Sequence, residues 1–181
     1  GMRDRDTQCG TLASTKCLQR YRVPFSYIIN SDVDGEMFQK GFIDFCSVAA
    51  VVKKARGMRI LSVGSRPQPF LSVIYNEDEL LRNFGIEVTP YTSAILAKDV
   101  QKILETRTEE VEAGLKEYAA KVDVSAMPID KQRAQQALKL ALIDKVKASK
   151  SDGVALECWT VLGQAIGVGG CQVIGMLADL G

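Results

Sequence analysis

A short apolar run that ends at a glycine constrains the fold of this chain more than any other feature of its sequence. Residues 60–63 read Ile-Leu-Ser-Val, and Gly64 follows them directly. Such a run, partly β-branched, is typical of a strand that helices cover on both faces. The glycine, with Pro67 and Pro69 after it, predicts a partly stiffened loop at the strand's carboxyl end. Ligands bind at that edge in open α/β sheets, so the sequence predicts where a site lies.

Strand-like and helix-like segments alternate along the rest of the chain. The predicted strands are residues 25–29, 59–63, 86–88 and 153–158, and a further apolar run, residues 171–177, follows a glycine-rich break. The predicted helices run from residue 6 or 7 to about 21, through 38–52, from 76 to 84, from about 92 to 104, from 106 to 122, from Asp130 to 146, and through 160–166. This alternation predicts an α/β fold with right-handed crossovers. We expect three α/β/α layers around a Rossmann-like or flavodoxin-like parallel sheet of four to five strands.

Four of the helices have specific start or core signals. Asn76 with Glu79 three residues later forms a capping-box pattern, as do Thr106 and Glu109, whereas Asp130 is only a favourable N-cap residue. The phenylalanines at spacings of three and four in residues 38–52 predict packing against a sheet rather than an aromatic ligand site.

Histidine is absent from all 181 residues. Its absence removes the commonest general base and the commonest transition-metal ligand, so catalysis by these residues would depend on carboxylates, lysine, tyrosine or a bound ion. The five cysteines form no C-x-x-C pair and lie in segments predicted as apolar helix or strand. We therefore expect buried free thiols rather than disulfides or catalytic thiolates.

The charges nearly cancel, which excludes several classes of partner. Twenty-three basic and 22 acidic residues leave a formal charge of +1, too little to attract nucleic acid or an anionic membrane. No apolar run approaches the roughly 20 residues that cross a bilayer, and the charged first residues do not resemble a signal peptide. We expect a cytoplasmic protein with neither nucleic acid nor membrane as a partner.

Three further ligand motifs are absent. Asp32 and Asp34 lie in a loop that lacks the other oxygen ligands of a calcium site, so we interpret them as solvated turn residues. The loop after Gly64 is not a dinucleotide-binding motif, because its prolines remove backbone donors. The glycines of residues 163–170 lack the Lys-Ser/Thr ending of a P-loop.

Several runs of this sequence together resemble one known superfamily. They are Arg59-Ile-Leu-Ser-Val-Gly-Ser-Arg-Pro-Gln-Pro-Phe70, Asn83-Phe-Gly-Ile-Glu-Val88, Gly153-Val-Ala-Leu-Glu-Cys-Trp159, Cys171, and Leu177-Ala-Asp-Leu-Gly181. The combination resembles the L-fucose isomerase and L-arabinose isomerase superfamily, and within it the fucose-isomerase-like members, over most of the chain from about Pro24 onward.

The resemblance implies a sugar ketol isomerase. Such an enzyme moves a carbonyl between C1 and C2 of an open-chain sugar while a divalent ion such as manganese polarises the two oxygens. It also implies a cytoplasmic homo-oligomer with roughly three domains per chain, whereas 181 residues hold about one. The family's metal ligands lie in a Cys-Glu-x-Asp-like segment after the Leu-x-Asp-x-Gly stretch and at a later histidine, so they would follow Gly181.

The chain is therefore expected to be a middle-domain fragment. Residues 1–24 would be the tail of a preceding domain or a first helix, and residues 25–181 a single Rossmann-like domain truncated before the metal ligands. We expect the fragment to be inactive and to bind no metal.

Four residues are the best candidates to face a sugar. Ser65 and Arg66 lie on the central loop, and Glu157 and Trp159 lie where a later strand ends. Arg66 is suited to donating paired hydrogen bonds, and Trp159 to stacking on a sugar face. The alternatives are that Arg66 pairs with a surface acid and that Trp159 packs under the following loop.

Two other functions remain open at this point. The chain could be a non-catalytic α/β module that binds a small ligand or mediates oligomer contacts. It could also come from another carbohydrate-active enzyme, such as a lyase, on the same scaffold, because a shared fold does not determine the reaction.

Overall fold

The computed structural model describes residues 7–29 and 31–180. It divides the chain into two compact units, Gly1–Ala55 and Arg56–Gly181. The expected boundary between residues 24 and 25 concerns the domains of a longer parent and stays a prediction. Within the described ranges, no helix is long and apolar enough to cross a membrane.

The described part of the first unit contains two helices, α1 (Thr7–Arg20) and α2 (Glu36–Ala55). Both were predicted, but the strand predicted over residues 25–29 is wrong, because that segment is irregular. A strand needs a neighbour to complete its backbone hydrogen bonds, and the described part of this unit provides none. Side-chain packing holds the segment instead: Ile28 lies so close to Gly41 of α2 that a Cβ there would be 3.0 Å from its Cγ1.

The phenylalanine stripe of α2 does not form a buried core. Phe38 and Phe42 stack with ring centroids 6.1 Å apart, but none of the described side chains of this helix is buried. The prediction that the stripe packs against a sheet is wrong within the described unit, where no strand is available to cover it.

The second unit is built on a sheet of three parallel strands in the order β2-β1-β3. Its strands are β1 (Arg59–Val63), β2 (Glu87–Tyr91) and β3 (Gly153–Leu156). The central position of β1 was predicted, and its Leu61 and Val63 are buried. The α/β class is confirmed, whereas a sheet of four to five strands in three layers is not, because the described residues contain three strands.

The last apolar run of this unit is a helix. Residues 171–177 belong to α8 (Cys171–Ala178), which buries Val173 and Met176, three residues apart. A short apolar run fits a buried strand and a buried helix equally well, so the sequence pattern could not distinguish them.

Five more helices complete the second unit. They are α3 (Glu77–Phe84), α4 (Ser93–Thr106), α5 (Thr108–Ala119), α6 (Ile129–Ser149) and α7 (Val161–Ala165), with a short 3-10 turn at Leu71–Val73. Leu96, Val100, Leu138 and Leu142 from α4 and α6 form a continuous core with the central strand.

The helix starts test the capping predictions. Asn76 caps α3 as predicted, accepting a hydrogen bond from the Glu79 N–H at 3.2 Å. The box predicted at Thr106 is wrong, because Thr106 ends α4 and donates its hydroxyl proton to the Lys102 carbonyl at 2.7 Å. Asp130 lies in the first turn of α6 rather than at its N-cap, where its charge still complements the helix dipole.

The central strand provides the first testable prediction. Replacing the fully buried Leu61 with alanine removes packing on the sheet and leaves a cavity, so we expect the free energy of unfolding to fall by about 2–5 kcal/mol. Leu71→Ala is the matched control, because Leu71 is exposed and its replacement should cost no more than about 0.5 kcal/mol. Urea unfolding measures both values, and equal losses would contradict the burial described above.

Candidate functional site

The parallel strands bring the two predicted loops to one edge of the sheet. The Gly64 N–H donates to the Tyr91 carbonyl at 2.9 Å, and the Glu157 N–H donates to the Val63 carbonyl at 2.9 Å. These bonds continue the sheet pairing one residue beyond the strands. We call the cluster of Gly64, Ser93, Glu157 and Thr160 at this position the carboxyl-edge site.

Gly64 makes this close approach possible. Its φ is +80°, a backbone conformation that residues with a side chain rarely adopt. A Cβ at this position would be 2.8 Å from the Cβ of Glu157, 2.8 Å from the Ser93 hydroxyl oxygen and 3.2 Å from Glu157 Oε2. The site therefore needs glycine for both its conformation and its missing side chain.

Glu157 is a buried carboxylate with hydrogen-bond donors at one of its two oxygens. Its Oε1 accepts hydrogen bonds from the Thr160 N–H at 2.8 Å and from the Thr160 hydroxyl at 2.7 Å. Burial alone would raise its pKa, but bonds from the Thr160 hydroxyl and from the N–H groups of residues 159–161 hold the pKa below its usual value. The side chain is therefore ionised at neutral pH.

The second oxygen of this carboxylate differs from the first in its surroundings. Oε2 of Glu157 is buried and without a donor among the described residues, and it faces the position that a Gly64 side chain would occupy. Leaving a buried acceptor unpaired costs free energy, more so for a charged group. A donor brought by a ligand would remove that cost.

Trp159 lies next to this carboxylate and remains accessible. Its side chain is 68% exposed, and its ring centroid lies 4.9 Å from that of Phe70 at an interplanar angle of 43°. The loops that follow β1 and β3 therefore meet through two aromatic rings. The accessible indole face is suited to stacking on an apolar face of a ligand.

The two remaining candidates lie on the loop after β1. Arg66 Nη1 donates to the carbonyls of Pro67 at 3.0 Å and Gln68 at 2.9 Å, so its guanidinium is held by its own loop. Ser65 is exposed beside Gly64. Of the four candidates, Glu157 and Trp159 are neighbours at the site, whereas no described contact joins Arg66 to Glu157.

Sequence reasoning missed three contributors to this edge. Thr160 follows Glu157 by three residues, a spacing at which a side chain can bond back to the chain, and that signal was available. Thr92 rather than Ser93 caps α4, which leaves the Ser93 hydroxyl buried against Gly64. No local sequence pattern indicates that Phe70 contacts Trp159.

Tyr91 closes the same end of β2 but is held in a protonated state. Burial raises its pKa, and its hydroxyl donates a hydrogen bond to the Asp99 carboxylate, which raises it further. Lys145 Nζ lies 4.7 Å from the ring centroid, as in a cation–π contact. These contacts indicate a structural role for Tyr91.

The prediction that the cysteines are free thiols is confirmed, but the prediction that they are buried is wrong. Cys158 is half-buried, and the other four thiols, Cys9, Cys17, Cys46 and Cys171, are exposed. The apolar segments that contain them have exposed faces, which local sequence patterns do not reveal.

The carboxyl-edge site does not have the composition of a metal centre. Within residues 7–29 and 31–180, no group of three or more histidine, cysteine, aspartate or glutamate side chains could hold an ion. The manganese or other divalent ion implied by the resemblance therefore does not fit the donor groups present in these ranges.

Comparison with known proteins supports the resemblance. The family model described as the fucose/sulfoquinovose isomerase N-terminal domain matches residues 1–56, and no curated protein matches the chain. The match confirms the predicted similarity and supports a fucose-isomerase-like protein. It covers 56 of 181 residues and ends where the first compact unit ends, at Ala55.

Gly64 provides a prediction that separates conformation from close contact. Gly57 has a similar φ of +77° but nothing within 4 Å of an added Cβ. We expect Gly57→Ala to lower the free energy of unfolding by about 1 kcal/mol through backbone strain alone. Gly64→Ala should cost about 2 kcal/mol more because the new methyl group overlaps Glu157 and Ser93. Urea unfolding measures the free energy of unfolding of both variants. Equal losses of stability would contradict the close approach of Gly64 to Glu157 and Ser93.

Glu157 provides a prediction about pH. Its folded-state pKa is lowered, so the stability it contributes is present above the unfolded pKa and is lost as the pH falls through the folded pKa. We expect Glu157→Gln to lower the free energy of unfolding by about 1 kcal/mol at pH 7, with the difference shrinking in acid.

The Thr160→Val variant tests the cause of this pKa shift. Removing the hydroxyl that bonds Oε1 should raise the folded-state pKa of Glu157. The stability that Glu157 contributes should then be lost at a higher pH than in the wild-type chain. Unfolding measured from pH 7 downward on the three proteins gives the comparison, and a Glu157→Gln difference that stays constant over that range would refute the assignment.

Proposed function

We propose that this chain is part of an aldose–ketose isomerase of the fucose-isomerase type, in which the carboxyl-edge site contacts an open-chain sugar. The observation that supports this most directly is the buried, unpaired Oε2 of Glu157 beside an exposed tryptophan. A sugar offers hydroxyl donors and an apolar ring or chain face together, and the site presents an acceptor and an aromatic surface together.

Each candidate residue would then have a distinct role. Glu157 accepts a hydrogen bond from a sugar hydroxyl, which satisfies Oε2, and Trp159 stacks on the carbon skeleton. Ser65 and Arg66 bind further hydroxyls from the loop after β1, which Arg66 already stabilises through its own carbonyl contacts. None of these residues is required to move a proton, so the role is substrate binding.

The chemical step would belong to a longer parent protein. In this proposal the divalent ion, manganese or a similar metal, polarises the C1 and C2 oxygens, and its ligands lie outside the described residues. The parent is a cytoplasmic homo-oligomer, and the present chain alone is inactive.

Two independent stretches support the isomerase assignment. The family match covers residues 1–56, whereas the motifs behind the resemblance begin at Arg59 and extend to Gly181. Because the two stretches do not overlap, together they support the isomerase assignment more strongly than either stretch does alone. We further propose that the N-terminal domain ends near residue 55 rather than residue 24, since the match and the first compact unit end together.

The test is the activity of the longer parent and of matched variants. With manganese present, we expect the parent to isomerise at least one sugar among L-fucose, L-arabinose and sulfoquinovose, and the present chain to isomerise none. In the parent, Glu157→Gln and Trp159→Ala should lower kcat/KM by about tenfold or more, because a hydrogen bond to a charged group contributes about 1.5–3 kcal/mol. Glu109→Gln, a change at an exposed glutamate of α5, is the control and should leave kcat/KM unchanged.

The outcomes distinguish the alternatives. Turnover by the present chain alone would refute the placement of the metal ligands. A parent that is inactive on all three sugars, or one whose activity is unaffected by both site variants, would favour a non-catalytic α/β module or another reaction on this scaffold.

A further inference from the structure

Two cysteines far apart in the sequence lie side by side next to the carboxyl-edge site. The sulfur atoms of Cys158 and Cys171 are 3.9 Å apart. Cys158 directly follows Glu157, and Cys171 is the first residue of α8. The other cysteines, Cys9, Cys17 and Cys46, all belong to the first compact unit.

The backbones at the two cysteines are also close. A Cβ on Gly170, the residue before Cys171, would lie 2.9 Å from the Cβ of Cys158 and 2.7 Å from Leu156 Cδ2. The start of α8 therefore packs directly on the segment that follows β3. A disulfide requires sulfurs about 2.05 Å apart on Cβ atoms about 3.8 Å apart, so rotation of the two side chains is a small change from the present arrangement.

We propose that Cys158 and Cys171 form a reversible dithiol–disulfide pair that exchanges with small-molecule disulfides. Neither the family match nor the proposed sugar binding requires such a pair. The contact between the sulfurs and the proximity of their backbones are the observations that support it.

The two thiols have different exposures, which sets the order of the reaction. Cys171 is exposed, so its thiolate attacks a sulfur of the small disulfide, forms a mixed disulfide and releases one thiolate. The Cys158 thiolate then attacks the Cys171 sulfur and releases the second. Overall, two protein thiols lose two electrons and two protons, and the small disulfide gains them as two thiols.

The surroundings of Cys158 slow the second step at neutral pH. Burial raises the pKa of this thiol, and the hydrogen bond with Cys171 and the negative charge of Glu157 raise it further. The thiolate fraction therefore increases as the solution becomes more alkaline, and closure should become faster. Cys171 from α8 and Glu157 after β3 are the titratable groups that face it.

Closure of the disulfide would act on the neighbouring ligand-binding residues. Cys158 lies between Glu157 and Trp159 in the chain, so a bond to α8 restricts the segment that positions both. Trp159 is the only tryptophan of the sequence, and its fluorescence therefore reports on this segment without interference.

Peptide mapping of the oxidised chain tests the proposal. Residues 151–181 contain no lysine or arginine, so trypsin leaves both cysteines in one peptide. After treatment of the folded chain with oxidised glutathione and alkylation, we expect this peptide to lack both alkyl groups and to be lighter by two hydrogen atoms than its reduced form. Dithiothreitol should restore both alkylation sites, and Trp159 fluorescence should change on oxidation and return on reduction.

Serine variants identify the partners. A Cys9→Ser, Cys17→Ser, Cys46→Ser triple variant retains only the proposed pair and should still form the disulfide. Cys158→Ser should stop at a glutathione adduct on Cys171, and it should lose the reversible fluorescence change.

Three results would overturn the proposal. They are a wild-type peptide with both cysteines still alkylated after oxidation, a stable glutathione adduct on Cys171 without closure, and a disulfide that joins either residue to the first unit. Mapping of the wild-type chain decides the question even where a variant does not fold.

Discussion

The parallel pairing of β3 with β1 is the interaction on which the rest of the second unit depends. It continues past the strands through the hydrogen bond from the Glu157 N–H to the Val63 carbonyl. In a parallel pair the carboxyl ends of both strands meet at one edge, so this register places a residue near position 157 beside one near position 64. Neither loop forms a site alone, because the carboxylate comes from one and the space for it from the other.

The arrangement at this edge is a compromise between stability and access. A glycine at position 64 loses more conformational entropy on folding than other residues would, but it lets Glu157 approach the backbone. Thr160 then donates two hydrogen bonds to one carboxylate oxygen. The opposing contributions of burial and hydrogen bonding leave the group ionised. The unpaired oxygen carries a desolvation cost that an apolar residue at position 157 would avoid and that a donor from a ligand would remove.

The sequence predicted the parts of the fold that local chemistry determines. The central strand, the Asn76 cap and the edge at which the two loops meet follow from residue type and spacing. The strand predicted at residues 25–29 was wrong, and the helix over residues 171–177 was not predicted, for a different reason. Both segments are apolar, and whether such a segment pairs as a strand, packs as a helix or remains irregular depends on neighbours that local patterns do not identify. The same limit applies to Phe70 with Trp159 and to Cys158 with Cys171, because each pair joins residues that only the tertiary fold brings together.

The position of the cysteine pair relative to Glu157 and Trp159 follows from the same geometry. A strand exposes alternate side chains on opposite faces, and the chain after β3 turns within three residues into the Thr160 contact with Glu157. Within this turn the carboxylate faces Gly64, the thiol of Cys158 faces α8, and the indole faces Phe70. Three consecutive residues therefore contact three different elements. A ligand at Glu157 and a bond at Cys158 would both restrain this one short segment, so ligand binding and thiol oxidation at this edge are expected to influence each other's equilibrium.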